Sequence, residues 1–251
     1  MSTVVKIKNV KIGDGVPKIC VPITASSREG ICTAAEEIKE HPFDLVEWRA
    51  DFFEELSDAQ AVRDVLLSLR GILGDVPLLF TIRTKAEGGN VRMDVEEYLN
   101  ANFQAIATGL IDLLDVEIFR GDDIAFMLVE ASHRSGVKVV ASNHDFEKTP
   151  KKEEILMRLC KMQELEADIV KIAVMPKTER DVLTLLDATL AMKEIHTSTP
   201  VVTMAMGSLG LVSRLTGRLF GSAITFGSVG EASAPGQIPA AKLKELLRIF
   251  E

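Results

Sequence analysis

Lys171 is the residue of this sequence whose chemistry stands out, because an apolar segment surrounds it. It lies within residues 167–176, where β-branched and apolar side chains predominate, a pattern typical of a buried strand in a parallel sheet. Burial disfavours the charged form of lysine, so we expect Lys171 to supply a nucleophilic amine near neutral pH. The alternative is a lysine near a strand end whose ammonium group reaches solvent or pairs with a carboxylate. This segment by itself leaves both interpretations open.

The histidines supply a second reactive group. His41, His133 and His196 each fall near the end of a predicted helix, where the helix dipole favours an exposed imidazolium. His144 alone ends a predicted strand. The ordinary pKa of histidine, about 6.5, suits proton transfer near neutral pH, so we predict that His144 is a general acid and base. A structural histidine at the same place is the alternative.

The segments that must position these residues repeat one unit. Eight short apolar segments predict strands, at residues 18–24, 44–49, 78–83, 111–117, 137–144, 168–174, 200–206 and 223–226, and segments with helical spacing separate them. This alternation predicts an α/β protein with a parallel sheet covered by helices. Eight units in 251 residues favour a closed (β/α)8 TIM barrel, as a single domain over residues 1–251. An open dinucleotide-binding sheet competes, but no Gly-x-Gly-x-x-Gly follows the first strand. We expect residues 4–10 to form a strand or hairpin that caps the barrel bottom.

Local signals predict where several helices begin. We expect capping boxes at three pairs of residues, a helix beginning at a Thr-Pro pair, and a final amphipathic helix over residues 239–250. The three pairs are Ser57 with Gln60, Asp94 with Glu97 and Thr178 with Asp181, and the Thr-Pro pair is Thr149-Pro150. Gly109 should end the helix that begins near Asp94.

Active sites of (β/α)8 barrels lie at the C-terminal ends of the strands, and charged residues collect there in this sequence. The strand ends and the segments after them supply Glu47, Arg49, Arg83, Glu87, Asp115, Glu117, Ser142, His144, Lys171, Met204, Met206, Arg214, Phe226, Ser233 and Gln237. The carboxylates could ligate Mg²⁺, but the arginines and Lys171 share their space and would repel a dication, so we expect no metal site. A Gly-x-Ser-x-Gly nucleophile elbow is absent from the sequence. Glycines after the last strand could cradle a phosphate, which is a weak signal by itself.

Composition narrows the class of partner. The net charge of −8 argues against nucleic acid or an anionic membrane, so we expect a small-molecule partner. Three cysteines without a Cys-x-x-Cys pair suit free thiols in a reducing compartment. The first residues lack the apolar core of a signal peptide, and no apolar run approaches the roughly 20 residues of a membrane helix. We therefore expect a cytoplasmic protein.

Several ordered motifs resemble one enzyme family. They are Glu47-Trp48-Arg49, Arg83 with Glu87-Gly88-Gly89, Ser142-Asn143-His144-Asp145-Phe146, Lys171-Ile172-Ala173-Val174-Met175-Pro176, Ser213-Arg214 and Ser233-Ala234-Pro235-Gly236-Gln237-Ile238. The chain resembles the type I 3-dehydroquinate dehydratases from its N-terminal segment to its last helix. The resemblance implies a (β/α)8 barrel, usually a homodimer, that uses no cofactor. It also implies dehydration of 3-dehydroquinate to 3-dehydroshikimate in the shikimate pathway to chorismate and aromatic amino acids.

The resemblance assigns roles to individual residues. Lys171 corresponds to the lysine that forms a Schiff base, His144 to the proton-transfer histidine, and Glu87 to the carboxylate that orients that histidine. Arg214 corresponds to the guanidinium that binds the substrate carboxylate. Other residues surround the substrate or close over it, namely Glu47, Arg49, Arg83, Met204, Phe226, Ser233 and Gln237. Pro22 stands where some relatives have serine, which leaves one contact to a substrate hydroxyl open.

Two other classes of function are compatible with a barrel lysine. A class I aldolase would also form an imine, but with phosphorylated aldehydes or ketones, and Arg214 suits a carboxylate better than a phosphate cradle. A barrel that binds a carboxylate without catalysis is the second alternative, and it would leave its ligand intact.

Overall fold

Strands and helices alternate along the chain in the computed structural model, which describes residues 4–196, 198–230 and 232–250. The strands are β1 Val5–Ile7, β2 Val10–Ile12, β3 Lys18–Ile23, β4 Leu45–Arg49, β5 Leu78–Thr81, β6 Leu113–Glu117, β7 Lys138–Asp145, β8 Ile169–Val174, β9 Val201–Ala205, β10 Ile224–Ser228 and β11 Ile238–Pro239. The helices are α1 Arg28–Ile38, α2 Ala59–Leu73, α3 Val95–Ala107, α4 Asp122–Arg134, α5 Lys152–Glu164, α6 Glu179–Ala191, α7 Leu211–Leu215, α8 Gly217–Phe220 and α9 Ala240–Leu247.

Eight of the strands, β3 to β10, form a closed barrel. Strands β3 to β9 pair in chain order, β10 pairs with β3, and all of these pairs are parallel. Between β9 and β10 a parallel bridge joins Val201 to Ser222, and the backbone N–H of Ala223 donates to the Val201 carbonyl at 2.7 Å. The prediction of a (β/α)8 barrel is confirmed, and each of its eight predicted strands overlaps an observed one.

The inner face of the barrel changes from apolar to polar along the strands. Side chains alternate between faces with a period of two, so every second residue points inward. Near the N-terminal ends of the strands the inward residues are apolar, namely Cys20, Leu45, Leu79, Leu113, Val140, Ile169, Val202 and Ile224. Two residues further on, five strands present a buried polar or charged side chain: Glu47, Thr81, Asp115, Ser142 and Lys171. The sheet therefore seals one end of the barrel and collects polar groups towards the other.

The N-terminal hairpin closes the apolar end. Strands β1 and β2 pair antiparallel, and Lys8 in their turn has a positive φ of 53°. Val5, Ile7 and Ile12 are buried in the same cluster as the inward apolar residues of the barrel. Lys8 also pairs with Asp112 at 3.1 Å. The prediction that residues 4–10 cap the barrel bottom is confirmed, with the hairpin extending to Ile12.

Two predicted helix starts are wrong. Asp58, and not Ser57, caps α2, because its carboxylate accepts the backbone N–H groups of Gln60 and Ala61 at 2.8 and 3.3 Å. Helix α5 begins at Lys152, two residues after Pro150, and no side chain caps it. Glu153 and Glu154 occupy its first turn, where negative charge interacts favourably with the helix dipole.

Two predicted capping boxes are confirmed. Asp94 with Glu97 and Thr178 with Asp181 each exchange both hydrogen bonds of the motif. Gly109, with φ +67°, follows the end of α3 as predicted. The last helix is shorter than predicted, because α9 ends at Leu247 and a 3₁₀ turn continues over Arg248–Phe250. Among the described residues, no helix combines the length and the apolar character needed to cross a bilayer.

Candidate active site

One cavity opens at the polar end of the barrel. Its volume is about 220 Å³. The lining residues come from six of the eight barrel strands or from the segments that follow them, and they include Glu47, Arg49, Arg83, Glu87, His144, Lys171, Met204, Arg214, Phe226, Ser233 and Gln237. The structure thus brings to one cavity every residue to which the resemblance assigned a role, and those roles stay predictions. Asp115, Glu117 and Ser142 lie outside the lining. Pro22, on β3, pairs in register with Glu47 on β4 and does not line the cavity.

The amine of Lys171 lies inside the barrel, beside two carboxylates. Its side chain is about 5% exposed, and Nζ donates to Asp115 Oδ2 at 3.2 Å and lies 3.7 Å from Glu47 Oε1. The ring of Phe226 covers it, with Nζ 4.7 Å from the ring centroid. Lys171 is therefore buried, as expected, and it also pairs with carboxylates, as the alternative interpretation stated. Carboxylates and an aromatic face both stabilise positive charge on this nitrogen, whether it is an ammonium or an iminium.

A buried network around Arg83 holds Asp115 in place. Arg83 Nη2 donates to Asp115 Oδ1 at 2.6 Å, while Nη1 donates to Glu117 Oε1 and Ser142 Oγ, both at 3.0 Å. Ser142 Oγ also donates to Asp115 Oδ1 at 2.6 Å. Burial would lower the pKa of Arg83, but Asp115, Glu117 and Glu87 raise it above its usual range. Burial would raise the pKa of Asp115, but Arg83 and Lys171 lower it. Both groups are therefore ionised at neutral pH.

Glu87 and His144 form a hydrogen-bonded pair on the cavity wall. Glu87 Oε2 lies 2.9 Å from His144 Nδ1 and also accepts the backbone N–H of His144 at 2.9 Å. The other oxygen, Oε1, accepts Asn143 Nδ2 at 2.9 Å. Arg83 Nη1 lies 3.5 Å from Oε2. These contacts fix the imidazole plane and leave Nε2 as the ring nitrogen without a bond to Glu87.

A tight turn after β5 places Glu87. Backbone hydrogen bonds join Gly89 to Thr84 and Lys85 to Val91, both at 2.8 Å, and Gly88 has a φ of +77°. A Cβ at Gly89 would lie 1.9 Å from the Arg83 carbonyl oxygen, and a Cβ at Gly88 would enter the Phe146 ring. The Glu-Gly-Gly motif therefore exists because the chain must fold back closely here.

Burial acts on both members of the Glu87–His144 pair. It raises the pKa of Glu87 to about 7; Glu117 and Asp115 also raise it, while Arg83 and the Asn143 hydrogen bond lower it. Burial lowers the pKa of His144 well below its usual value, and the positive charges of Arg83, Lys171 and Arg49 lower it further. His144 is therefore neutral at pH 7, and Glu87 titrates close to that pH.

Arg214 presents unpaired donors in a buried position. It lies on the short helix α7 and is 2% exposed. Its Nη2 donates to the Pro235 carbonyl at 3.1 Å, whereas Nε and Nη1 have no partner in the described part of the chain. Burial lowers the pKa of Arg214 to about 10, so it stays cationic at neutral pH. A buried guanidinium with free donors suits a planar anion such as a carboxylate.

Two further groups complete the cavity wall. Arg49 makes a bidentate pair with Asp51, at 2.7 and 2.8 Å, so much of its hydrogen-bonding capacity is already used. Ser233 and Gln237 bind each other: Gln237 Oε1 accepts the Ser233 N–H at 2.9 Å and its Nε2 donates to Ser233 Oγ at 2.8 Å. Between them, the Pro235 carbonyl accepts the N–H of Gly207 at 3.1 Å. The loop from Ser233 to Gln237 therefore packs against the segment that follows β9.

Sequence reasoning left Asp115, Ser142 and Asn143 without a role. The signal for the first two was present, because both fall on inward positions of their strands: Ser142 pairs in register with Lys171, and Asp115 lies two residues after the inward Leu113. Asn143 faces the other way by the same period, so its contact with Glu87 depends on where the turn after β5 lies. Among the described residues, no group of three or more histidine, cysteine or acidic side chains is arranged to hold a metal ion.

Comparison with known proteins identifies the family. A family model described as type I 3-dehydroquinase matches residues 19–251. The 3-dehydroquinate dehydratase of Clostridioides difficile (strain 630) is 49% identical over 250 residues, covering 100% of this chain and 98% of the relative. That of Syntrophotalea carbinolica is 51% identical over 246 residues, covering 98% and 97%.

Solved structures agree with these sequence comparisons. The crystal structure of type I 3-dehydroquinate dehydratase from Clostridium difficile with covalently modified comenic acid has a TM-score of 0.97 at 48% identity, covering 100% of this chain and 98% of that one. The 3-dehydroquinate dehydratase structure from Geobacillus kaustophilus has a TM-score of 0.95 at 39% identity, covering 99% and 96%. The chain therefore belongs to the type I 3-dehydroquinase family.

Proposed function

We propose that this chain is a hydro-lyase that dehydrates 3-dehydroquinate to 3-dehydroshikimate through a Schiff base on Lys171. Membership of the type I 3-dehydroquinase family supports the overall reaction. The observation that carries the mechanism is that one cavity encloses a lysine amine, a neutral histidine and a guanidinium of which two donors have no partner among the described residues. Imine chemistry, proton transfer and carboxylate binding each require one of these groups.

The first step joins the substrate ketone to Lys171. Lys171 gives one proton to the neutral His144, and the free amine attacks the carbonyl carbon. The carbonyl oxygen takes one proton from the attacking nitrogen and one from His144 and leaves as water, so a protonated iminium remains. Asp115 and Glu47, 3.2 and 3.7 Å from Nζ, stabilise the positive charge of that nitrogen. The iminium withdraws electrons more strongly than the ketone, so the neighbouring C–H becomes more acidic.

The second step is elimination of water with His144 as the base. His144 takes the proton from the carbon next to the iminium, and the electron pair forms an enamine. The C–O bond one carbon further on then breaks, and the leaving hydroxyl takes the proton from His144, so water departs and the conjugated iminium remains. Hydrolysis of this iminium releases the enone and returns the amine of Lys171.

Glu87 serves His144 through its contact with Nδ1. With Nδ1–H donated to the Glu87 carboxylate, Nε2 carries a free lone pair and can accept the substrate proton. The imidazolium that forms then lies 2.9 Å from a negative charge, which offsets the burial that otherwise lowers the pKa of His144. Arg214 holds the substrate carboxylate and so fixes which C–H faces the histidine.

Two measurements on the purified protein test the reaction and its covalent intermediate. Incubation with 3-dehydroquinate should produce the ultraviolet absorbance of a conjugated enone, and borohydride added during turnover should leave one ligand mass on Lys171. Lys171→Met should abolish both signals, whereas Lys177→Met, which removes an exposed lysine, should change neither. Turnover in the Lys171→Met protein, or borohydride inactivation with no adduct on Lys171, would refute the mechanism.

A histidine substitution tests the base. His144→Ala should lower kcat by roughly 100-fold or more, because general acid and base catalysis typically contributes that much. The matched variant His133→Ala removes an exposed histidine that pairs with Asp168 at the opposite end of the sheet, and its kcat should stay at the wild-type value. Equal rates for the two variants would reject the role of His144.

We also propose, on the family likeness, that the enzyme is a cytoplasmic homodimer that acts without a cofactor in the shikimate pathway. Sedimentation equilibrium should give twice the chain mass of 27.5 kDa. Dialysis against a chelator should leave the activity unchanged. A monomer at micromolar concentration, or loss of activity after chelation, would contradict the corresponding part of this proposal.

A further inference from the structure

A second layer of side chains lies behind the Glu87–His144 pair. Asn143 stands between the inward-facing Ser142 and His144 on β7, so its own side chain leaves the opposite face of the strand. It is 7% exposed, and both ends of its amide are used. Nδ2 donates to Glu87 Oε1 at 2.9 Å, and Oδ1 accepts from Arg158 Nη1 at 2.8 Å.

Helix α5 holds Arg158 in position for this contact. Glu154, one turn earlier on the helix, pairs with Nη2. Asp145 Oδ2 lies 3.8 Å from Nη1, and the Phe119 ring lies 5.8 Å from the guanidinium carbon. The side chain is 18% exposed and lies outside the cavity lining, and within the described part of the chain Asn143 connects Arg158 to Glu87.

The chemistry of arginine decides the direction of the hydrogen bonds. A guanidinium donates and never accepts, so the Asn143 oxygen must face Arg158 and the Asn143 nitrogen must face Glu87. Glu87 Oε1 is consequently always the acceptor of an N–H. Oε2 receives the backbone N–H of His144 as well. Hydrogen bonds from two neutral N–H donors favour the ionised carboxylate over the protonated one.

We infer that Arg158 and Asn143 are positioning residues that hold Glu87 as an ionised acceptor for His144 during proton transfer. This inference rests on the proposed function, because it is the imidazolium formed on His144 that an ionised Glu87 stabilises. The charged groups facing the pair from other elements stay in place when either residue is changed. For Glu87 they are Arg83, Glu117 and Asp115, and for His144 they are Arg83, Lys171 and Arg49.

Asn143→Asp tests most sharply the direction of the hydrogen bonds that run from Arg158 through Asn143 to Glu87, which we call the relay. The new carboxylate keeps the size of asparagine and keeps a partner for Arg158, but it offers Glu87 an acceptor where the amide offered a donor. Loss of a hydrogen bond to a charged group should move the midpoint of the pH profile of kcat upward by about one pH unit or more. We expect kcat at pH 7 to fall roughly tenfold, with KM unchanged within about a factor of two.

Three Arg158 and Glu154 variants separate positioning from helix stability. Arg158→Met frees the amide of Asn143 to turn over, so it should move the pH midpoint in the same direction as Asn143→Asp, by a smaller amount. Arg158→Lys restores one donor and should recover most of the rate. Glu154→Gln removes the charge of the i,i+4 pair on α5 but keeps an oxygen that can accept from Arg158 Nη2, so the contact between Arg158 and Asn143 should stay intact and the pH profile should match the wild type.

An activity-independent measurement distinguishes failure of this inference from failure of the proposed function. Infrared difference spectra across pH 5–9 should contain a carboxylic-acid C=O band of Glu87, identified by its absence in Glu87→Gln. The midpoint of that band should rise in Asn143→Asp and Arg158→Met. A wild-type protein that leaves 3-dehydroquinate intact would refute the proposed function. Wild-type kcat, pH midpoint and infrared titration in Asn143→Asp and Arg158→Met would overturn the relay.

Discussion

Replacing Arg214 by methionine should weaken substrate binding and stabilise the free protein at once. The two effects have one origin, the buried guanidinium whose Nε and Nη1 have no partner in the described part of the chain. In the free protein these donors are desolvated without compensation, and in the complex they bind the substrate carboxylate. Methionine has a similar length and fills much of the same space without a charge.

The size of the stabilisation follows from the burial of the charge. Burial lowers the pKa of Arg214 from 12.5 to about 10, which corresponds to about 3 kcal/mol of destabilisation of the cation at neutral pH. Unpaired buried donors typically cost about 1–3 kcal/mol, which agrees with that value. Part of the gain is lost with the packing of the arginine stem, so we expect the free energy of unfolding to rise by about 1–2 kcal/mol. For a chain of this length the melting temperature should then rise by about 2–8 °C.

The effect on binding has the opposite sign. Truncation of one partner of a buried charged hydrogen-bonded pair costs about 2–5 kcal/mol, and about 3 kcal/mol corresponds to roughly a 100-fold rise in KM. Because the carboxylate is bound in both the ground state and the transition state, kcat should change less than KM. Saturating 3-dehydroshikimate should raise the melting temperature of the wild type more than that of the variant.

Differential scanning calorimetry and initial rates on one preparation test both effects. Arg218→Met is the matched control, because Arg218 lies on the neighbouring helix α8 and binds an exposed carbonyl, that of Gly15. It removes the same charge and should change neither KM nor the melting temperature by much. A lower melting temperature in Arg214→Met together with an unchanged KM would refute the reasoning, because the guanidinium would then be a structural residue.

Three further predictions concern other parts of the site. The value of kcat/KM should rise with pH through about 7, because below that pH Glu87 holds a proton and donates it to Nδ1 of His144, which leaves Nε2 protonated and unable to act as a base. Gly89→Ala should lower both kcat and the melting temperature, because its Cβ would lie 1.9 Å from the Arg83 carbonyl oxygen and must displace the turn that carries Glu87. Asp115→Asn should lower the free energy of unfolding at pH 7 by several kcal/mol, because it removes the nearest carboxylate of two buried cations, Arg83 and Lys171.

Each of the three has a control or a contrary outcome. Glu87→Gln should flatten the rise near pH 7, and persistence of that rise would assign it to another group. Gly71→Ala in α2 meets nothing within 4 Å and should be slightly stabilising, so equal losses in both glycine variants would reject the steric argument. Asp187→Asn is the control for Asp115→Asn. It breaks an exposed pair with Lys152, so the free energy of unfolding should hardly change.

The lowered pKa of Asp115 also predicts how the stability of the protein changes at acid pH. Its folded-state pKa is lower than the usual value, so the stabilisation it provides is complete above that usual value and is lost as the pH falls through the folded-state pKa. The wild type should therefore lose more stability below about pH 4 than Asp115→Asn does. Parallel acid unfolding curves would contradict the buried ion pair.

Much of the barrel and of the cavity could be predicted from periodicity alone. Strands in a parallel sheet covered by helices are apolar on both faces, and the eight apolar segments followed that pattern. A period of two then places Glu47 with Arg49, and Ser142 with His144, on the inward face of their strands. Helix starts were less reliable, because Ser57 and Asp58 are both good caps and only the path of the chain selects Asp58.

Local pattern and strand order are enough to place a lysine, a histidine and several arginines at the ends of parallel strands. The partners of these residues follow from the folded barrel instead. Lys171 lies beside Asp115 and Glu47, and Arg158 reaches Glu87 through Asn143. The contacts of Lys171 with Asp115 and of Asn143 with Glu87 each join residues 56 positions apart in the chain. Such contacts depend on how the barrel closes and where a glycine turn folds back, which no local pattern encodes. The electrostatics of the site follow from those distances and from burial, so they exist only in the folded chain.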